Sequence, residues 1–190
     1  MHEATAKGYV SGLPLARLGK SLIRLRCLSL KMPRNGVAGT SRSLATDIST
    51  MALGKARKGQ YSQFEIQRGL PVMLMLKYFD QVDGDWLAKP EVRKMVNFAQ
   101  HNQLDSARHL GQFDIILCRN MLMYLCEGKR REVLDKLTSA LASEGVLMLG
   151  AAETVIGQTD KFSASKEFRG FYIHSKNAGS VPLAHKRIAV

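Results

Sequence analysis

The stretch FDIILCRNMLMY, Phe113 to Tyr124, decides how the rest of this chain is interpreted. Its first half is a run of apolar residues, which is typical of a strand buried on both faces of a parallel sheet. Its second half is a polar cluster with Arg119 and Asn120. Ligands of α/β sheets bind outside the carboxyl ends of the strands, so this cluster is a candidate binding site. The alternative is that Arg119 and Asn120 only cap the next helix.

A second strand with a polar end lies upstream. The segment SLATDI, which begins at Ser43, predicts a strand, and Ser49 or Thr50 can cap a helix that runs to about Lys58. Asp47 stands at the end of this strand, where an acid can accept hydrogen bonds from both ribose hydroxyls of a nucleoside. A helix cap is the commoner role for a single Asp at such a place.

A third strand is predicted from Val96 to Gln100, and it is followed by His101, Asn102 and Gln103. An amide side chain can pair with an adenine edge through two hydrogen bonds. We expect a structural role for His101, because the sequence shows no partner that would make it a base.

The remaining chain predicts an amphipathic helix from Glu127 to Leu141, a buried strand from Val146 to Leu149, and final strands between Phe162 and His174. Residues 59–95 contain closely spaced turn signals and predict an insertion. Its single tryptophan, Trp86, is expected in the core of that insertion, with a peptide contact as the alternative. Arg68 is open between a salt bridge and a substrate contact.

Composition fits one soluble domain. The chain has 190 residues, of which 45% are hydrophobic and 23% charged, and no apolar run approaches the ~20 residues that a membrane span needs. Its three cysteines, Cys27, Cys118 and Cys126, lack metal-ligand spacing. We therefore expect no metal site, no membrane insertion and a cytoplasmic location.

The net charge of +12 is concentrated at the start, because residues 1–43 contain eight Lys or Arg and one acid, Glu3. A basic segment of this kind is typical of a targeting peptide or of an arm that binds nucleic acid or an anionic membrane surface.

The motifs from about Leu44 to His174, taken in order, resemble the CheR-type chemotaxis-receptor methyltransferases. LATDIST, GQYSQFEIQRGLP, VNFAQHNQLD and FDIILCRNMLMYL each resemble a segment of that family. The resemblance implies a Rossmann-like α/β fold and S-adenosylmethionine as cofactor. It also implies methyl transfer to glutamate side chains of chemoreceptors, with the receptor's helical cytoplasmic domain or C-terminal peptide as partner and no nucleic acid. A small antiparallel subdomain is expected at residues 59–95.

The resemblance also implies roles for single residues. Tyr124 matches a tyrosine near the transferred methyl group and is the candidate catalytic residue. Glu153 matches an acid of the family, without an assigned role. The candidate cofactor-binding residues are Asp47, Asn102, Gln103, Arg119 and Asn120.

Residues 1–43 do not resemble the opening of that family, which needs a first strand and a glycine-containing turn before the SLATDI strand. Read in a shifted frame, the codons that could encode this segment permit LRIWSAACSTGxEPYS, which resembles the family's first cofactor-binding motif. We therefore expect a frame shift between about Leu28 and Leu44. The alternatives are the targeting peptide and the nucleic-acid-binding arm.

The expected organisation is an out-of-frame or disordered basic head at residues 1–43, a partial methyltransferase domain at 44–175, and a tail at 176–190. The first strand and the family's N-terminal helical domain are expected to be missing. Without the first strand, apolar faces and strand edges would stay open. We therefore expect impaired methyl transfer. The alternative function is that of a non-catalytic fragment that binds receptor peptides.

Overall fold

The computed structural model describes residues 27–31, 42–67, 70–166 and 170–178. Short 3-10 helices lie at Arg108–Leu110, Leu122–Tyr124 and Ser175–Asn177. The α-helices are α1 Thr50–Lys58, α2 Gln63–Gln67, α3 Val72–Tyr78, α4 Pro90–Lys94 and α5 Glu127–Ala140. The strands are β1 Cys27–Lys31, β2 Arg42–Asp47, β3 Gln60–Tyr61, β4 Phe79–Val82, β5 Asp85–Ala88, β6 Val96–Gln100, β7 Phe113–Cys118, β8 Leu141–Leu149, β9 Phe162–Ala164 and β10 Phe171–His174.

A seven-stranded sheet in the order β6-β2-β1-β7-β8-β10-β9 forms the centre of the described chain. β2 pairs with β6 in parallel and β7 pairs with β8 in parallel, whereas β10 is antiparallel to β8. The strand order reverses between β1 and β7, and α/β sheets bind ligands at such a switch point. The predicted Rossmann-like α/β class is confirmed. We call the edge at which β2, β6, β7 and β8 end the carboxyl edge.

The position between β2 and β7, which was expected to be empty, holds β1. This strand is antiparallel to both neighbours, with Cys27 opposite Thr46 and Cys118 and with Lys31 opposite Arg42. Backbone N–H and C=O groups on the facing edges of β2 and β7 need partners, and any extended segment can supply them. The sheet is therefore continuous, but its central strand begins at the carboxyl edge instead of ending there.

Strand β7 is buried on both faces, as its apolar run predicts. Ile116 and Cys118 pack toward α5, whose Val133, Leu134 and Leu137 fill the same core cluster. Burying each aliphatic side chain contributes about 1.5–3 kcal/mol, so this contact fixes α5 against the sheet.

The insertion forms a separate three-stranded antiparallel sheet in the order β3-β5-β4. Trp86 is buried in its core, as predicted, and its indole N–H donates to Gln63 Oε1. Gly59 joins α1 to this sheet with a φ of 67°, a left-handed value that favours glycine. Arg68 lies outside the described residues. The predicted small antiparallel insertion is thus present, between the end of α1 and the start of β6.

Among the described residues, no helix combines the length and the apolar character that are needed to cross a membrane.

Candidate cofactor-binding site

Asp47 is the last residue of β2 and lies buried at the carboxyl edge. Its Oδ1 accepts the backbone N–H of Ser49 at 2.8 Å. Ser49 in turn caps α1, because its Oγ accepts the backbone N–H of Ala52 at 3.2 Å. The second carboxylate oxygen of Asp47 makes no hydrogen bond with the described residues, and it remains available as an acceptor.

The segment after β6 is tied to the end of β2. The backbone N–H of His101 donates to the carbonyl of Asp47 at 3.1 Å. The Gln103 Nε2 donates to Thr46 Oγ1 at 3.0 Å, across the end of the same strand pair. These bonds hold the predicted amide segment beside the predicted acid.

Asn102 is half-buried in that segment, and its side chain is partly used by the turn. Its Oδ1 accepts the backbone N–H of Leu104 at 3.0 Å, which is a local turn bond that Asn often makes. The Nδ2 of Asn102 makes no hydrogen bond among the described residues. Asn102 can therefore donate to a ligand without opening the turn.

His101 is buried, and its Nε2 has no hydrogen-bond partner within the described chain. Its ring lies 5.7 Å from the ring of His109, measured between centroids. Burial, with His109 and Lys136 nearby, lowers the pKa of His101, although the Asp105 carboxylate opposes this. These surroundings therefore favour the neutral imidazole over the charged one.

Arg119 and Asn120 follow β7 at the same edge. The Nε of Arg119 is buried without a hydrogen-bond acceptor among the described residues. Asn120 has a φ of 54°, a left-handed value that is unfavourable for most residues but tolerated by Asn. The predicted interpretation of this pair as simple helix caps finds no support in the hydrogen bonds of α5, whose N-cap residue is Cys126.

The Arg119–Tyr124 segment is held by Glu153, whose role the sequence did not assign. The carboxylate of Glu153 accepts backbone N–H groups from both sides of the β7–β8 pair. Its four donors, at 2.7–2.8 Å, are Asn120, Met121, Leu122 and Gly150. The sequence signals were the match of Glu153 to an acid of the family and its place three residues after the glycine that follows a buried strand.

Gly150 is needed for this arrangement. A Cβ at that position would lie 2.6 Å from Glu153 Oε2 and 2.8 Å from Asn120 Oδ1. Any side chain there would displace the carboxylate or the asparagine.

Tyr124, the candidate catalytic residue, ends the 3-10 helix that follows Asn120, and 69% of its surface is exposed. Its phenol makes no hydrogen bond with the described residues. Arg130 of α5 fixes the backbone on both sides of Tyr124. Its Nε donates to the carbonyl of Leu122 at 3.2 Å, and its Nη2 donates to the carbonyl of Leu125 at 3.0 Å. The ring is therefore on a fixed backbone but at the surface.

The structure brings the predicted residues to one edge in two groups. Asp47, Asn102 and Gln103 form one group at the ends of β2 and β6, and Arg119 and Asn120 form the other after β7. One strand separates the groups, so their strand ends are about 10 Å apart.

Clefts elsewhere contain none of these residues. One of about 720 Å³ lies between Ala107, Arg108 and the α5 residues Glu132 and Lys136. Another of about 470 Å³ lies between α1 and the small sheet. Neither of these two clefts is lined by the candidate cofactor-binding residues.

The sequence of this chain is similar to that of known proteins. Residues 26–171, more than three quarters of the chain, match the family model described as CheR methyltransferase, SAM binding domain.

Individual relatives support the same assignment. A chemotaxis protein methyltransferase 1 of Vibrio cholerae is 38% identical over 136 residues, which are 71% of this chain and 50% of the relative. A chemotaxis protein methyltransferase of Vibrio parahaemolyticus is 36% identical over 141 residues, 74% of this chain and 51% of the relative. A chemotaxis protein methyltransferase 1 of Pseudomonas aeruginosa is 37% identical over 120 residues, 63% of this chain and 44% of the relative.

The chain spans about half the length of these relatives. The family model that describes a domain binding S-adenosylmethionine matches residues 26–171, and these include β2, β6, β7 and β8, the strands that end at the carboxyl edge. The chain therefore belongs to the CheR methyltransferase family, within its S-adenosylmethionine-binding domain.

Proposed function

We propose that this chain is the cofactor-binding part of a methyltransferase that esterifies glutamate side chains of chemoreceptors, with activity impaired in the chain as it stands. The observation that supports the proposal best is Asp47, a buried carboxylate with one unused oxygen at the carboxyl edge of the sheet. The relatives are named chemotaxis protein methyltransferases, which supports the choice of substrate class.

The residues at this edge fit the nucleoside part of S-adenosylmethionine. The free oxygen of Asp47 suits the ribose hydroxyls, and the free amide donor of Asn102 suits the adenine ring. Gln103 orients that side of the site through Thr46. The buried Nε of Arg119 is an unsatisfied donor on the opposite side of β1, where the ligand's own acceptor groups can reach it.

The chemistry asks little acid–base help of the protein. When bound, S-adenosylmethionine supplies a methyl group on a positively charged sulfur, which a glutamate carboxylate can attack without a proton transfer. The residues of this chain then have to align the two groups and exclude water. Tyr124 is the proposed positioning group of the catalytic step, since it is exposed where a protein substrate can arrive.

The direction of β1 is the reason to propose impaired activity. A strand that ends at the carboxyl edge can deliver a turn and a helix N-terminus to a bound cofactor. β1 ends at the opposite edge, where Lys31 pairs with Arg42. Its backbone therefore completes the sheet without supplying that turn.

The proposed partners are cytoplasmic chemoreceptor domains, and the proposed location is the cytoplasm. The small sheet offers a possible docking point, because β4 is an edge strand with Asp80, Gln81 and Val82 exposed. An extended receptor peptide can add to such an edge through its main chain.

Titration calorimetry with S-adenosylmethionine tests the proposal on two full chains. One is the chain as it stands, and the other has its first residues replaced by the shifted-frame sequence LRIWSAACSTGEEPYS in the same register. We expect weak binding by the first chain and at least tenfold tighter binding by the second. Transfer of a labelled methyl group to purified chemoreceptor cytoplasmic domains should follow the same order.

The controls separate the two parts of the proposal. If neither chain binds S-adenosylmethionine, the assigned site is wrong. If both bind with equal affinity, the site stands and the proposed impairment is wrong. If the second chain binds the cofactor but methylates no receptor domain, the proposed substrate class is wrong.

A further inference from the structure

Glu153 is a buried acid that the proposed chemistry does not use. It lies four residues beyond the end of β8 and is 8% exposed, and no Lys or Arg of the described chain forms an ion pair with it. A buried carboxylate is costly unless its charge is satisfied. Here backbone N–H groups satisfy it instead of a cation.

The four donors of Glu153 come from two separate parts of the sheet. Oε1 accepts from Met121 at 2.8 Å and from Leu122 at 2.7 Å. Oε2 accepts from Asn120 at 2.7 Å and from Gly150 at 2.8 Å. One side chain thus joins the segment after β7 to the end of β8.

The segment held in this way contains the residues of the proposed site. Asn120 adopts a left-handed φ of 54°, which costs free energy unless its surroundings enforce it. Its N–H points to Glu153, and its Oδ1 lies so close to Gly150 that no Cβ fits between them. The same segment continues into the 3-10 helix that ends with Tyr124.

We propose that Glu153 is a positioning residue that fixes the Arg119–Tyr124 segment at the carboxyl edge for cofactor binding. This rests on the proposed function, because the segment forms one side of the proposed site. Glu153 touches neither ligand nor reacting atoms in this role. It acts through the backbone of Asn120 and its neighbours, and the requirement is for an acceptor without N–H groups of its own.

The test uses the full chain with Glu153→Gln, Glu153→Asp and, as matched control, Glu132→Gln on the exposed face of α5. Glutamine keeps the size of the side chain but turns an N–H donor toward two of the backbone donors. Amide hydrogen exchange is measured at Asn120, Met121, Leu122 and Gly150, and also at Leu134 in α5 as a reference. The affinity for S-adenosylmethionine is measured by calorimetry on the same variants.

In Glu153→Gln we expect exchange at the four amides to rise at least tenfold while Leu134 is unchanged. The dissociation constant for S-adenosylmethionine should rise at least tenfold. Glu153→Asp should lie between the wild type and Glu153→Gln, and Glu132→Gln should match the wild type. A Gly150→Ala variant should reproduce the Glu153→Gln exchange pattern, because its methyl group displaces the carboxylate.

Exchange that rises equally at Leu134 would show a merely structural role and would overturn the proposal. So would unchanged exchange at the four amides, or unchanged affinity despite their release. If neither the chain as it stands nor the chain with the restored first motif binds S-adenosylmethionine, the proposed function fails. In that case the exchange pattern still tests whether Glu153 holds the segment. If exchange at the four amides does not rise in Glu153→Gln, that role of Glu153 is wrong as well.

Discussion

Asp47 and Glu153 are both buried carboxylates at the carboxyl edge, but their hydrogen bonds differ. Asp47 accepts one backbone N–H, from Ser49, and keeps one oxygen free of partners in the described chain. Glu153 accepts four, and both of its oxygens are used. The first acid can still bind a ligand, whereas the second is committed to its own backbone.

The two acids at this edge have different proposed roles, Asp47 in binding the cofactor and Glu153 in positioning the backbone. Burial alone does not distinguish them, since Asp47 is 4% and Glu153 8% exposed. The number of unused acceptor sites does, because a saturated carboxylate has no capacity left for a ligand. Removal of the two side chains should therefore affect different properties of the protein.

The largest expected effect is on stability. Glu153→Ala removes the acceptor of four backbone N–H groups, and we expect a loss of about 3 kcal/mol or more in the free energy of unfolding. Urea denaturation measures it. Glu132→Ala, at an exposed position of α5, should change this free energy by less than about 0.5 kcal/mol. A loss below about 1 kcal/mol for Glu153→Ala would remove the contrast with Asp47.

At Asp47 the larger effect is expected on the affinity for S-adenosylmethionine and the smaller effect on stability. Asp47→Asn keeps an oxygen for the Ser49 N–H but removes the charge offered to the ribose. We expect the dissociation constant for S-adenosylmethionine to rise about 10- to 100-fold, since hydrogen bonds to charged groups contribute about 1.5–3 kcal/mol. The free energy of unfolding should fall by only about 1 kcal/mol or less. Calorimetry and urea denaturation on one preparation would show whether affinity and stability separate in this way.

A smaller effect at Ser49 sharpens the assignment of Asp47. Ser49→Ala removes the Oγ that caps α1 at Ala52, and this should cost about 1 kcal/mol of stability. The affinity for S-adenosylmethionine should not change, because the backbone N–H that Asp47 accepts remains. Ser139→Ala, at an exposed position of α5 where the hydroxyl donates to the carbonyl of Asp135, serves as the control and should be close to neutral. A large loss of affinity in Ser49→Ala would mean that Asp47 acts through the cap.

The smallest expected effect is a pH dependence of stability, which comes from His101 beside Asp47. The pKa of His101 is lowered in the folded chain, first by burial and then by His109, so the unfolded chain binds a proton more readily. Stability from this group is complete above the unfolded pKa of about 6.5 and is lost as pH falls toward the lower folded value. Urea midpoints measured from pH 7.5 to 5 should decrease at the acid end. His101→Gln should flatten that part of the profile. An unchanged profile would contradict the assignment of the acid-side loss of stability to His101.

Local patterns predicted most of the elements at the site. The apolar run before Arg119 gave a strand buried on both faces, and the Ser49 cap and the helix to Lys58 are confirmed. These succeed because burial and capping depend on residues close together in sequence. The roles of Tyr124 and of the cofactor-binding residues stay predictions.

Two features could not be obtained from local patterns. The strand at Cys27–Lys31 satisfies open edges that belong to β2 and β7, which are far apart in the sequence. The hydrogen bonds of Glu153 reach residues 31 to 33 positions earlier. The strands that pair with β1 and the N–H groups that donate to Glu153 cannot be recognised from the residues next to β1 or to Glu153 in the sequence.

The sequence by itself determined the α/β class, the family and the residues that end its strands, because residue type and order express burial, capping and motif identity. Only the tertiary structure decided which acid is free and which is saturated, and in which direction the central strand runs. The reason is that hydrogen-bond acceptors are shared out among groups that meet only after the sheet has formed.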